Sequence, residues 1–224
     1  SVFGAIVTLS MAATPFLMMA TSRIRREPAG PDETREGPHN DGASALIVGY
    51  GRFGQSVSNT LRAGGLSVTV IDKKAEQIDI AEEFGSKVYY GDGTRMDLLR
   101  RAGGAEAQLI MLCMDEVPEA DLIEAVHEAF PKALIYVRGF DRRSVIALAD
   151  SKAEYVVREV HESAVHMARL ALEKIGLSEQ DMDRAEKTYR ENDQKRMSVQ
   201  IESGDIYAAQ EMTREQQRKL RGAN

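Results

Sequence analysis

The sequence predicts an α/β fold in which a doubly wound parallel sheet of about six strands is covered by helices on both faces. Two observations carry that prediction. Short apolar strands alternate with segments of helical spacing from Ala45 to Val157, and a glycine turn stands where the first strand gives way to the first helix. Composition sets the scale: 224 residues, 43% hydrophobic and 29% charged, make one core of ordinary size plus appendages.

In chain order, Ser1 to Ala20 carries no charge and is long enough for a bilayer-spanning helix, and Arg23, Arg25 and Arg26 come directly after it. A signal peptide would place its positive charge ahead of the apolar run. Residues 1–22 therefore read as the end of a transmembrane helix, with the arginines placing the downstream chain on the cytoplasmic side. The chain also begins without Met, so the expectation is a C-terminal piece of a larger membrane protein. Residues 23–44, with Pro28, Gly30, Pro31, Gly37, Pro38 and Gly42, read as a flexible linker.

Strands are expected at Leu46–Gly49, Ser67–Ile71, Val88–Tyr90, Leu109–Cys113, Leu134–Val137 and Tyr155–Val157. Helices are expected between them at Gln55–Ala63, Ala75–Phe84, Thr94–Arg101, Asp121–Phe130 and Asp141–Ala149. Residues 45–160 would form this domain. Residues 161–196 would supply dimerisation and ligand-cleft helices, because Val165, Met167, Leu170, Leu172 and Ile175 exceed what one sheet face needs. Asp181 to Gln194 reads as a solvated helix and residues 197–224 as a charged, partly disordered tail.

The first strand and turn read Ala45-Leu-Ile-Val-Gly-Tyr-Gly-Arg-Phe-Gly54, and the second strand Val68-Thr-Val-Ile-Asp72 ends in a carboxylate. This is the Rossmann-like pattern for an adenine nucleotide. Gly49 turns the chain off the strand, Gly51 admits a diphosphate to the backbone, and Gly54 lets the helix lie close to the sheet. Asp72 would accept from ribose hydroxyls, which disfavours a 2′-phosphate and leaves AMP, ADP, ATP and NAD(H) open. Other candidates stand at the carboxyl ends of strands. They are Tyr50, Arg52 and Phe53 after the first strand, Lys73 after the second, and Asp92, Gly93 and Thr94 after the third. Met114, Asp115 and Arg138 stand after the fourth and fifth, where they either face the pocket or pair with one another.

Several classes are disfavoured. A net charge of −6 gives no broad basic footprint for nucleic acid. Cys113, the single cysteine, sits in an apolar run and reads as a buried strand residue. The four histidines are scattered, no metal spacing is present, and no catalytic residue is expected. An NAD-dependent soluble oxidoreductase remains the alternative, and would need an acid or base beside the nicotinamide.

Three stretches also carry a family resemblance: Gly49-Tyr-Gly-Arg-Phe-Gly-Gln55, Val88-Tyr-Tyr-Gly-Asp-Gly-Thr-Arg-Met-Asp-Leu-Leu99 and Ala168-Arg-Leu-Ala-Leu-Glu173. From about Ala45 to Ile175 the chain resembles the cytoplasmic regulatory (RCK/KTN, or TrkA-N) domain of glutathione-gated Kef-type potassium efflux systems, potassium/proton antiporters of bacterial inner membranes. The resemblance implies a homodimer attached to a membrane transport domain of the same polypeptide, held closed by glutathione and opened by its conjugates. It also implies an ancillary flavin oxidoreductase as a partner in some systems. Arg158 matches the family's glutathione-site arginine and Asn192 its asparagine. Where the family has a further arginine in the first helix, this chain has Asn59, which lacks the charge for a carboxylate clamp. The soluble Trk-type regulatory subunit is a second alternative of the same fold.

Overall fold

The computed structural model describes residues 37–83, 87–214 and 218. The expected membrane helix and most of the expected linker lie outside the described residues. Among those described, no helix is long and apolar enough to cross a membrane.

The elements alternate as β1 (Ala45–Val48), α1 (Arg52–Ala63), β2 (Val68–Asp72), α2 (Ala75–Glu83), β3 (Tyr89–Tyr90), α3 (Met96–Arg101), β4 (Leu109–Leu112), α4 (Ala120–Ala129), β5 (Leu134–Gly139), α5 (Arg142–Ala147) and β6 (Tyr155–Arg158). Two helices complete the order, α6 (Glu159–Lys174) and α7 (Glu179–Ser203). The six strands form one parallel sheet of order β3-β2-β1-β4-β5-β6, with Ala45 of β1 registered against Val68 on one side and Leu109 on the other. Order reverses between β1 and β4. In an open sheet of this kind that point leaves a crevice beyond the carboxyl ends of the strands.

Side-chain alternation sends successive strand residues into two separate cores. Leu46, Val48, Ile110, Leu112, Ile135 and Val137 pack with Leu99, Ile123, Val126 and Phe130 of the α3 and α4 layer. Ile47, Val70 and Cys113 face the other way, against Ile78 and Ala81 of α2 and, half-buried, Phe53, Val57 and Leu61 of α1. All four residues of β1 are buried, as a central strand covered on both faces requires.

The C-terminal helices differ in character. No residue of α6 is buried. α7 runs nine residues past the Gln194 limit expected for it and closes at Gly204, whose φ of 64° is the left-handed helix stop that glycine adopts freely. Its start is capped by Ser178, which accepts from the Asp181 amide at 3.2 Å. α7 is docked by polar contacts. Asp193, 5% exposed at its side chain, pairs with Arg142 of α5 and Arg158 of β6, and Arg142 also donates to Gln200 Oε1 at 2.8 Å.

Candidate functional site

The glycine turn has a strict geometric cause. Gly49 has φ +99°, and a Cβ on Gly54 would stand 1.9 Å from the Gly49 carbonyl oxygen, so only glycine lets α1 approach the end of β1 this closely. α1 then opens at Gly51 with no side-chain cap and no acidic residue in its first turn. Its leading amides are free to meet an anion, and the helix dipole favours one there. Asp72 is fixed beside this turn. Its Oδ2 accepts from the Tyr50 amide at 2.6 Å and its Oδ1 from the Lys74 amide at 2.7 Å, so the carboxylate ties the end of β2 to the start of the turn. Each oxygen keeps a second lone pair for a ligand hydroxyl.

The turn and Asp72 form one end of a cavity of about 590 Å³ at the switch point. Gly49, Gly51, Arg52, Asp72, Lys73, Asp92, Thr94, Met114 and Asp115 line it, joined by Lys74, Gly91, Glu116, Val117, Pro118, Glu119 and Leu122. The remaining candidates are close by but serve the fold. Tyr50 is buried in the α1 and α2 core. Gly93 presses on Val48, where a Cβ would come within 2.2 Å of Cγ1. Gly54 faces the Gly49 carbonyl, and Phe53 lies under Arg138, whose guanidinium carbon is 5.4 Å from its ring centre. Asp92 accepts from the Thr94 amide and hydroxyl at 3.0 and 2.8 Å, a local turn that leaves both residues at the cleft wall.

Asp115 and Arg138 were open between facing the ligand and pairing with each other, and in the structure they pair. Asp115 accepts from Lys74 Nζ at 2.8 Å and from Arg138 Nη1 at 2.9 Å. Lys74 and then Arg138 hold its carboxyl below the usual carboxylate range, and the same contact raises the Lys74 ammonium. Arg138 reaches further, to the Met114 carbonyl at 3.3 Å and to Glu159 at 2.7 Å. Burial works to lower its pKa, but the two carboxylates outweigh that and raise it. A continuous line of charge thus runs from the end of β2 across the cleft mouth to the first residue of α6. Sequence spacing gave no sign of Lys74 in this role, since the contact spans 41 residues.

Cys113 lines the same cavity with its thiol pushed up to about 12 by burial, so it is inert as a nucleophile at neutral pH. Among the described residues no group of His, Cys, Asp and Glu could hold a metal ion.

Arg158 and Asn192 lie at a different place. Arg158 ends β6 and donates to Asp193, while Asn192 is the residue before Asp193 on α7. Two guanidiniums there share one buried carboxylate, with Arg196 at 3.4 Å from it. Burial works against the Asp193 charge, and Arg158 with Arg142 overcomes it and keeps the pKa low. Asn59 is exposed on α1 and does not line the cleft.

The family model of the TrkA-N domain matches residues 45–159, the extent of the sheet and its crevice. The chain belongs to the TrkA-N domain family. Around this TrkA-N domain, 209 residues are 34% identical to a glutathione-regulated potassium-efflux system protein of Haemophilus influenzae, a match covering 90% of this chain and 34% of that protein. Over 175 residues the chain is 39% identical to the glutathione-regulated potassium-efflux system protein KefC of Escherichia coli, covering 76% of this chain and 28% of that one. The chain therefore spans about a third of the length of these curated relatives. The structure resembles the Kef C-terminal domain of Shewanella denitrificans in its AMP-bound form, with a TM-score of 0.60, 32% identity, and coverage of 70% of this chain and 96% of that domain.

Proposed function

We propose that the chain is the nucleotide-binding regulatory region of a bacterial potassium-efflux system, without catalytic activity of its own, acting on the cytoplasmic side of the inner membrane as a homodimer. The observation that carries this is the switch-point cleft, in which Asp72 is held by two backbone amides beside an uncapped helix start. That pairing suits an adenosine monophosphate or NAD(H): ribose hydroxyls on Asp72, phosphate on the α1 amides and Arg52. The AMP-bound state of the similar Shewanella domain supports the nucleotide class.

The second ligand in this proposal is glutathione, to be met by Arg158 and Asn192, and it is supported by the glutathione-regulated relatives. A guanidinium and an amide meet peptide carboxylates and carbonyls by charge-assisted and ordinary hydrogen bonds. Thermal unfolding and calorimetry of the full chain with AMP, NADH, glutathione and a bulky glutathione conjugate test both ligands, because anything preferring the folded state raises its stability. AMP or NADH is expected to raise the midpoint, and the glutathione effect is expected to vanish in Arg158→Ala while the nucleotide effect stays. A nucleotide effect without any glutathione effect leaves the cleft and removes glutathione.

A further inference from the structure

Resting on the nucleotide assignment of the cleft, we infer that Asp115 is its charge-selecting residue, biasing the site toward adenosine ligands with few phosphate charges. The placement is specific. A Cβ built on Gly51 would lie 3.6 Å from Asp115 Oδ1, so the carboxylate stands over the glycine that has to admit phosphate to the α1 amides. It is held there from two sides by Lys74 and Arg138, which come from different strand ends and so oppose its swinging away in either direction.

The rest of the lining adds to the bias. Among the lining residues Asp72, Asp92, Asp115, Glu116 and Glu119 stand against Arg52, Lys73 and Lys74, with Arg138 at the cleft mouth, and both Lys74 and Arg138 are already paired with Asp115. The helix start offers one favourable anion position. Each further phosphate adds negative charge within a few ångströms of a fixed carboxylate, and like charges at that separation repel measurably even in water. An uncharged adenosine is indifferent to Asp115, AMP is mildly opposed, and ADP and ATP progressively more so.

The test is calorimetric titration of adenosine, AMP, ADP and ATP, in chelator to exclude divalent cations, into the wild-type chain and Asp115→Asn. The wild type is expected to bind AMP more tightly than ADP and ADP more tightly than ATP. In the variant the ATP affinity is expected to rise roughly fivefold or more relative to AMP, with adenosine unchanged. The wild-type preference is also expected to narrow near 0.5 M salt, where roughly one Debye length separates the charges. An unaltered ATP to AMP ratio in the variant, or an equal change for adenosine, overturns the inference and leaves the cleft assignment standing. A folded wild type that binds none of the four overturns the cleft assignment itself.

Discussion

Asp72 serves the fold and the ligand with the same atoms: both carboxylate oxygens satisfy backbone amides that would otherwise be stranded at the turn, and both retain a lone pair. His161 is the residue whose surroundings carry a pH consequence. Burial first, and then the Arg158 charge, lower its pKa from 6.5, with Asp193 and Glu162 acting the other way and Arg190 adding to the decrease. Its ring stacks on Tyr189 with centroids 5.5 Å apart. Above pH 6.5 the imidazole is neutral in both states and contributes no pH slope. As pH falls below that value the unfolded chain takes the proton first, so stability declines until the folded pKa is passed. Urea denaturation is expected to show stability falling as the pH drops below 6.5, and a shallower fall in His161→Gln. A slope unchanged in the variant would show that other groups carry it. None of this was legible in a sequence where His161 is one of four scattered histidines; its partners come from β6 and α7. Gly54 was legible in the glycine turn because it is required by the Gly49 carbonyl only a few places back, whereas Gly93 is required by Val48 and Gly49 by the Cys113 backbone, contacts made across the sheet.

Among the elements, α6 stands out for what covers it least. Met167 is 70% exposed, Val160 50% and Leu170 48%, on a helix without one buried residue, and Ile175 at its C-cap is 75% exposed. Scattered exposed apolar residues are ordinary, but three on one helix and a fourth at its C-cap suit the homodimer proposed above. Sedimentation is expected to give a dimer for the wild type and a monomer for Met167→Asp combined with Ile175→Asp, with helical content retained. A wild type that stays monomeric at micromolar concentration would count against it. The surplus apolar face was visible in the sequence as unusual periodicity, whereas the extent of α7 was not. That helix is docked through Arg142, Arg158, Asp193 and Gln200, and ion pairs between distant segments leave no hydrophobic period to read. The strands suffered little from this, since a sheet covered on both faces is written as short continuous apolar runs: expected and observed limits differ by one or two residues at most, the shortest being β3 with only Tyr89 and Tyr90.

Across the whole molecule, the two cores and the ligand-linked charges are organised differently. Every member of both hydrophobic clusters falls between Leu46 and Val156, within the TrkA-N match, and α6 and α7 add none. The sheet domain should therefore carry its own stability, with the C-terminal helices held to it by charge and by Arg138, which touches the cleft at Asp115 and α6 at Glu159. A chain ending at Val160 is expected to unfold cooperatively and to keep its response to AMP, because Asp72, the glycine turn, Asp115 and the Arg138 to Glu159 contact all remain. It is expected to lose any response to glutathione and any dimer, because Asn192 and most of α6 are gone. Arg142 and Arg158 lose Asp193 in that chain but turn to solvent, so no charge is left buried without a partner. Failure of the shortened chain to fold would mean that α7 belongs to the core and that the division at residue 160 is wrong. Retention of a glutathione response would instead move that ligand off Asn192 and toward the sheet.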